Sequence, residues 1–207
     1  MNKLIDLFLH VDKHLVSVVS TYGTMTYVIL FLIIFMETGL VVTPFLPGDS
    51  LLFAAGAIST TGVMNIWLLY VILLVAAFLG DTVNYWIGHF IGPKAFEMNS
   101  KLLKKEHLKK AEAFYEKHGG KAIVLARFVP IVRTFAPFVA GVSKMSYSHF
   151  LLYNAVGGFV WVSAFLFAGY FFGNIPFVQH NFHYVVVGII VVSVVPMVYE
   201  WWKGRKG

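Results

Sequence analysis

The sequence contains no cysteine, and only 13% of its 207 residues are charged. Without thiols, a disulfide scaffold, a cysteine nucleophile and thiolate metal sites are excluded. Soluble domains carry about 25% charged residues, and disordered chains combine low hydrophobicity with high net charge. Neither description fits. What fills the sequence is apolar: 58% hydrophobic, 17% aromatic, with a mean hydropathy of +0.76. That composition and length read as one compact membrane domain.

The net charge of +6 is unevenly placed. Eight lysines fall between Lys94 and Lys121, mixed with four glutamates, and a second basic cluster is the tail Lys203, Arg205 and Lys206. Lysine and arginine accumulate on the cytoplasmic side of a membrane, so both clusters are expected there. Nucleic acid is a poor partner for a lysine-rich stretch this short and flanked by apolar runs. Residues 94–120 read as a cytoplasmic amphipathic helix on the anionic inner leaflet. A solvated connector helix with paired charges is the alternative. Residues 1–22, interrupted by Asp6, His10, Asp12, Lys13 and His14, are too polar for a signal h-region and predict an interfacial helix.

Residues 66–91, 148–173 and 183–202 are each long enough to cross a bilayer, which takes about 20 residues. Trp201 and Trp202 supply an interface belt ahead of the basic tail. Two other apolar regions, 27–60 and 121–145, are broken. The first runs through Glu37-Thr38-Gly39 and Pro44-Phe45-Leu46-Pro47-Gly48-Asp49; the second carries Arg127, Pro130, Arg133, Pro137 and Ala140-Gly141. Each half is about ten residues, or about 15 Å of helix, half a bilayer core. Proline removes an amide donor and glycine permits a reversal. Such backbone is tolerated at membrane depth where protein or trapped water covers it. Both regions therefore predict re-entrant hairpins; Pro-kinked full-length helices are the alternative.

The expected fold is an all-α membrane protein. It is an inverted repeat of re-entrant hairpin plus transmembrane helix, with a further C-terminal transmembrane helix and amphipathic interfacial helices. The basic loop between the copies gives them opposite orientation, as in transporters whose site lies at the midplane. The crossing helices share an echo, Gly88-x-x-x-Gly92 and Gly169-x-x-x-Gly173. Such surfaces allow close helix approach and are compatible with a homodimer.

Five charges fall inside these apolar segments: Glu37, Asp49, Asp81, Arg127 and Arg133. Left unpaired, they would cost on the order of 10–17 kcal/mol together. The cheapest arrangement sets the acids of the first hairpin against the arginines of the second. Structural ion pairing is one reading, although burial of a pair is not reliably stabilising. The functional reading gives Arg127 and Arg133 an anion to bind, because the planar guanidinium grips phosphate oxygens bidentately. Freed amides beside Pro130 would assist. An anion that takes the arginines leaves Glu37 and Asp49 without counter-charge and favours their protonation, a physical route to proton coupling. Asp49, following Pro47-Gly48, also suits a helix N-cap or first-turn charge. Asp81 is four residues before Tyr85, within hydrogen-bonding reach on a helix. Asn154 and Trp161 are expected beside the site.

These pieces, in order, resemble the DedA family of integral membrane proteins, also called SNARE-associated or VTT-domain proteins. The resemblance rests on Glu37-Thr38-Gly39, Pro44 to Leu52, Gly80-Asp81-x-x-x-Tyr85-x-x-Gly88 and His118-Gly119. It continues through Arg127-Phe128-x-Pro130-x-x-Arg133-x-x-x-Pro137-x-x-Ala140-Gly141 and Asn154-x-x-Gly157 with Trp161. It implies lipid movement across the cytoplasmic membrane, with undecaprenyl phosphate the first choice and proton-motive-force dependence expected. Phosphatidylethanolamine or general phospholipid flipping or scrambling is the alternative. It also implies functional roles for Glu37, Asp49, Arg127 and Arg133. A proton-coupled transporter of a small solute or ion is a second alternative. An intramembrane phosphatase is disfavoured: there is no Walker loop, no Gly-x-Ser-x-Gly elbow and no histidine set with metal-ligand spacing. No cofactor or metal is expected. The expected partners are the bilayer and an anionic phospholipid or polyprenyl phosphate.

Overall fold

The computed structural model describes residues 11–40, 48–91, 113, 116, 118–173, 175–181, 184, 185, 187 and 188. Among the described residues the regular structure is entirely helical. Helix α1 spans Val11–Tyr22, α2 Met25–Gly39, α3 Gly48–Ser59 and α4 Ile66–Ile91. Then come α5 Lys121–Ala126, α6 Pro130–Val142, α7 Tyr147–Phe172 and the short α8 Pro176–His180. Most of the stretches expected to form the lysine-rich helix and the crossing at 183–202 lie outside the described residues, as does the Pro44–Pro47 turn.

Two helices, α4 and α7, are each 26 residues long and apolar enough to cross a membrane. The start of α4 is fixed by Asn65, whose Oδ1 accepts the amides of Trp67 and Leu68 at 3.0 and 3.1 Å. Its outer face carries Trp67, Val71, Val75, Leu79, Val83, Trp86 and Phe90, all exposed. That is one helical stripe running nearly the length of α4, far larger than the apolar patches a water-soluble monomer tolerates. The opposite face buries Leu69, Leu73, Ala76, Ala77, Gly80, Asp81, Asn84, Tyr85 and Gly88.

The other helices are short because their sequences break. Val129 is extended (φ −121°, ψ 102°) and Pro130 opens α6, so the chain between α5 and α6 turns at Arg127–Val129. Helix α2 ends at Gly39 with Leu40 extended. Leu15 and Val19 of α1 are buried against the same core as α2, α3, α4 and α7.

The short helices pack reciprocally: α3 lies chiefly on α7, and α6 lies on α4. The same contact occurs twice. A Cβ on Gly56 would run into the backbone at Leu166 and Tyr170, and one on Gly169 into the Phe53 carbonyl. A Cβ on Gly141 would meet the backbone at Tyr85 and His89, and one on Gly88 the Phe138 carbonyl. The spacing is the same in both: Phe53-x-x-Gly56 and Phe138-x-x-Gly141 on the short helices, Leu166-x-x-Gly169 and Tyr85-x-x-Gly88 on the long ones. Gly173 lies against Ala57. Gly88, Gly169 and Gly173 are therefore occupied by contacts within the chain.

Candidate functional site

The breaks deliver charge to the interior. Glu37 sits at the buried end of α2, and Asp49 is the second residue of α3, in the first turn, where a carboxylate suits the helix dipole. Asp81 lies mid-way along α4; Arg127 caps α5; Arg133 lies one turn into α6. All of these elements meet α4 or α7, so five ionisable side chains share one interior.

Arg133 is shared by both acids of the first broken region. Its Nη1 donates to Asp49 Oδ1 at 2.8 Å, and its Nη2 donates to Glu37 Oε1. Glu37 packs against Gly48, where any Cβ would collide with the carboxylate. Trp161 Nε1 donates to the same Asp49 oxygen at 2.8 Å. Both guanidinium groups lie over the Trp161 ring, Arg133 Cζ at 5.3 Å and Arg127 Cζ at 5.7 Å from its centre.

Arg127 is partnered differently from the sequence expectation. It meets neither Glu37 nor Asp49: its Nη2 donates to Asp81 Oδ2 at 2.5 Å and to Asn154 Oδ1 at 2.7 Å. Asn154 is held by donating Nδ2 to the Phe78 carbonyl at 3.1 Å. The cause is placement. Arg127 precedes the break, where α5 packs on α7, and its side chain occupies room left by Gly157 and Gly158. Arg133 follows the break and emerges beside α2 and α3. Among the described residues Arg127 Nε and Nη1 find no hydrogen-bond partner.

A second correction concerns Asp81. It does not bond Tyr85; the Tyr85 hydroxyl donates to the Met145 carbonyl at 2.5 Å, and the Tyr85 ring stacks on Phe150 with centres 4.5 Å apart. That packing swings the phenol away from the site. Pro130 starts α6 and so sets the direction of Arg133, and Gly48 borders Glu37, while Pro47 lies outside the described residues. Among the described residues no group of three potential metal ligands occurs.

A VTT domain family model matches residues 46–171, which contain the second break, α4, α7 up to its last residue and every site residue except Glu37. Protein DedA of Escherichia coli K12 is 58% identical over 200 residues, covering 95% of this chain and 91% of that protein. An uncharacterized membrane protein of Mycobacterium leprae is 46% identical over 84% of this chain and 78% of its own. The chain belongs to the DedA family of membrane proteins. A more distant relative, inner membrane protein YghB of Escherichia coli K12, is 34% identical over 88% of this chain and 81% of its own. No solved structure matches the chain.

In this DedA-family chain one site residue escaped the sequence reading. Asn84 is fully buried on α4 and donates Nδ2 to the carbonyls of Thr38 at 3.0 Å and Thr134 at 2.9 Å. The available signal was a lone amide inside an apolar helix of 26 residues.

Proposed function

We propose that this protein is a carrier, not an enzyme, that moves a lipid with a phosphate headgroup across the cytoplasmic membrane, with undecaprenyl phosphate the first candidate. The observation that carries the reading is the buried cluster around Trp161. Three carboxylates and two guanidinium groups meet there, and Arg133 is shared by two of the carboxylates. Arginine stays charged in such surroundings and its fork matches phosphate oxygens. With all five groups ionised the cluster carries one excess negative charge, so one proton neutralises it. An arriving anion that takes Arg133 displaces carboxylates that then call for protons. Glu37 and Asp49 carry those protons, which couples movement to the proton-motive force.

The architecture proposed for this movement is an inverted repeat of two re-entrant segments, α2–α3 and α5–α6, each followed by a crossing helix. Two observations support it. Helices α2 and α3, of 15 and 12 residues, span ~22 and ~18 Å against a ~30 Å hydrocarbon core. The reciprocal glycine contacts repeat with the same spacing in both halves. The chain is then multi-pass, with the lysine-rich stretch and the C-terminal tail cytoplasmic.

The test uses the full chain reconstituted in vesicles, following labelled polyprenyl phosphate and phosphatidylethanolamine with and without a pH gradient. Faster transbilayer movement of the polyprenyl phosphate under a gradient is the expected result. Movement of phosphatidylethanolamine instead shifts the substrate to the general phospholipids. Movement of neither, with solute-driven proton flux, makes the protein a solute transporter. Release of inorganic phosphate overturns the carrier reading in favour of an enzyme.

A further inference from the structure

Asn84 joins two helices that approach it from different halves of the chain. Thr38, one of its acceptors, directly follows Glu37; Thr134, the other, directly follows Arg133. A single amide group thus fixes the backbone one residue beyond each member of the Arg133–Glu37 ion pair. The Thr38 carbonyl suits an external donor. Thr38 belongs to the last turn of α2, whose carbonyls lack intrahelical partners. Thr134 follows Arg133, whose own carbonyl is the one that Pro137, four residues on, leaves without an amide. Asn84 Oδ1 accepts no hydrogen bond among the described residues. An unsatisfied amide oxygen in a core is costly, so packing alone does not account for asparagine here, whereas the two donated bonds do.

We infer that Asn84 is a positioning residue that sets the separation of Glu37 and Arg133 by binding α2 and α6 to α4 as one unit. Asp49 reaches Arg133 from α3, a helix to which Asn84 makes no bond. Asn84 thus holds Glu37 in register with Arg133 for an arriving anion, while Asp49 is held by Arg133 and the Trp161 indole. This assignment rests on the carrier reading above, but the clamp itself has a readout independent of transport.

The absence of natural cysteines allows unique spin labels at Leu32→Cys on α2 and Ser143→Cys at the end of α6, both exposed. The labelled full chain is placed in vesicles of phosphatidylethanolamine and phosphatidylglycerol, with labelled polyprenyl phosphate as the transport probe. Asn84→Ala is expected to broaden the label–label distance distribution and to lower the initial rate of lipid movement about tenfold, as two hydrogen bonds are lost. Asn84→Ser, which keeps one donor, is expected to give a width between those of the parent and Asn84→Ala and a rate about threefold below the parent's. Unchanged distances in Asn84→Ala overturn the inference, whether or not the rate falls. If Asn84→Ala does not fold, Asn84→Ser decides on the same readouts: a width and rate equal to the parent's overturn it. If the parent moves no lipid, the carrier function fails, and the distance distributions still decide on the clamp.

Discussion

Arg127 and Arg133 both lie over the ring of Trp161, yet their surroundings differ. Arg127 is 2% exposed and meets a single carboxylate, Asp81, together with the amide oxygen of Asn154. Its neighbours belong to the two long helices, and glycines make the room it occupies. Arg133 is 9% exposed and is shared by two carboxylates from the two sides of one break, with the Asp49 side chain 14% exposed. The first is a sealed joint between α4 and α7. The second is a shared ion pair with partial access. Number of counter-charges and degree of enclosure, not residue type, separate the two roles.

The sharpest way to break this comparison is to remove each arginine in turn. Arg127→Ala leaves Asp81 buried with no counter-charge and should cost about 3–5 kcal/mol, measured as thermal unfolding of the purified protein in detergent. Arg133→Ala removes an arginine from a more accessible pair, where water can reach the Asp49 side chain, so its stability loss should be smaller while lipid movement stops. A lower unfolding temperature for Arg133→Ala than for Arg127→Ala reverses the assignment. Arg133→Lys keeps the charge and discards the fork; losing about 1.5–3 kcal/mol of charge-assisted bonding should slow movement roughly tenfold to a hundredfold. Full activity in that variant counts against bidentate headgroup binding.

Smaller effects sharpen the comparison. Gly56→Ala and Gly88→Ala each force a methyl group into a backbone contact and should destabilise by about 1–3 kcal/mol, read by the same unfolding assay. Similar losses at the two positions would match their reciprocal geometry; a loss at one alone would not. Trp161→Phe keeps a ring beside both guanidinium groups and removes the indole donor to Asp49. It should slow movement by about fivefold, the equivalent of roughly 1 kcal/mol. Tyr85→Phe removes a bond remote from the charges and should lower stability by about 0.5–1.5 kcal/mol without altering the movement rate.

The five interior charges stand out in the sequence because apolar runs make any charge conspicuous and costly. The long runs that hold α4 and α7 are visible for the same reason. Which arginine takes which acid is not written locally. Arg127 and Arg133 are separated by a break that points them at different helices, and Asp81 lies 46 positions from its partner. Asn84 gives only a weak signal in the sequence, because an uncharged amide is weakly penalised and its acceptors are backbone carbonyls, which carry no sequence signature. The Gly88 and Gly169 echo was visible, but its partners Gly56 and Gly141 emerge only when the short helices cross to the opposite long helix.

That crossing has a consequence for biosynthesis. Glu37 precedes Arg133 by 96 positions and Asp49 by 84. At about 5–20 residues per second, the ribosome delivers the arginine roughly 5–20 s after the acids. During that interval the first three apolar segments have neither the arginine nor the surface of α7 on which α3 lies. A chain halted before residue 133 carries Glu37 and Asp49 without the arginine that completes them.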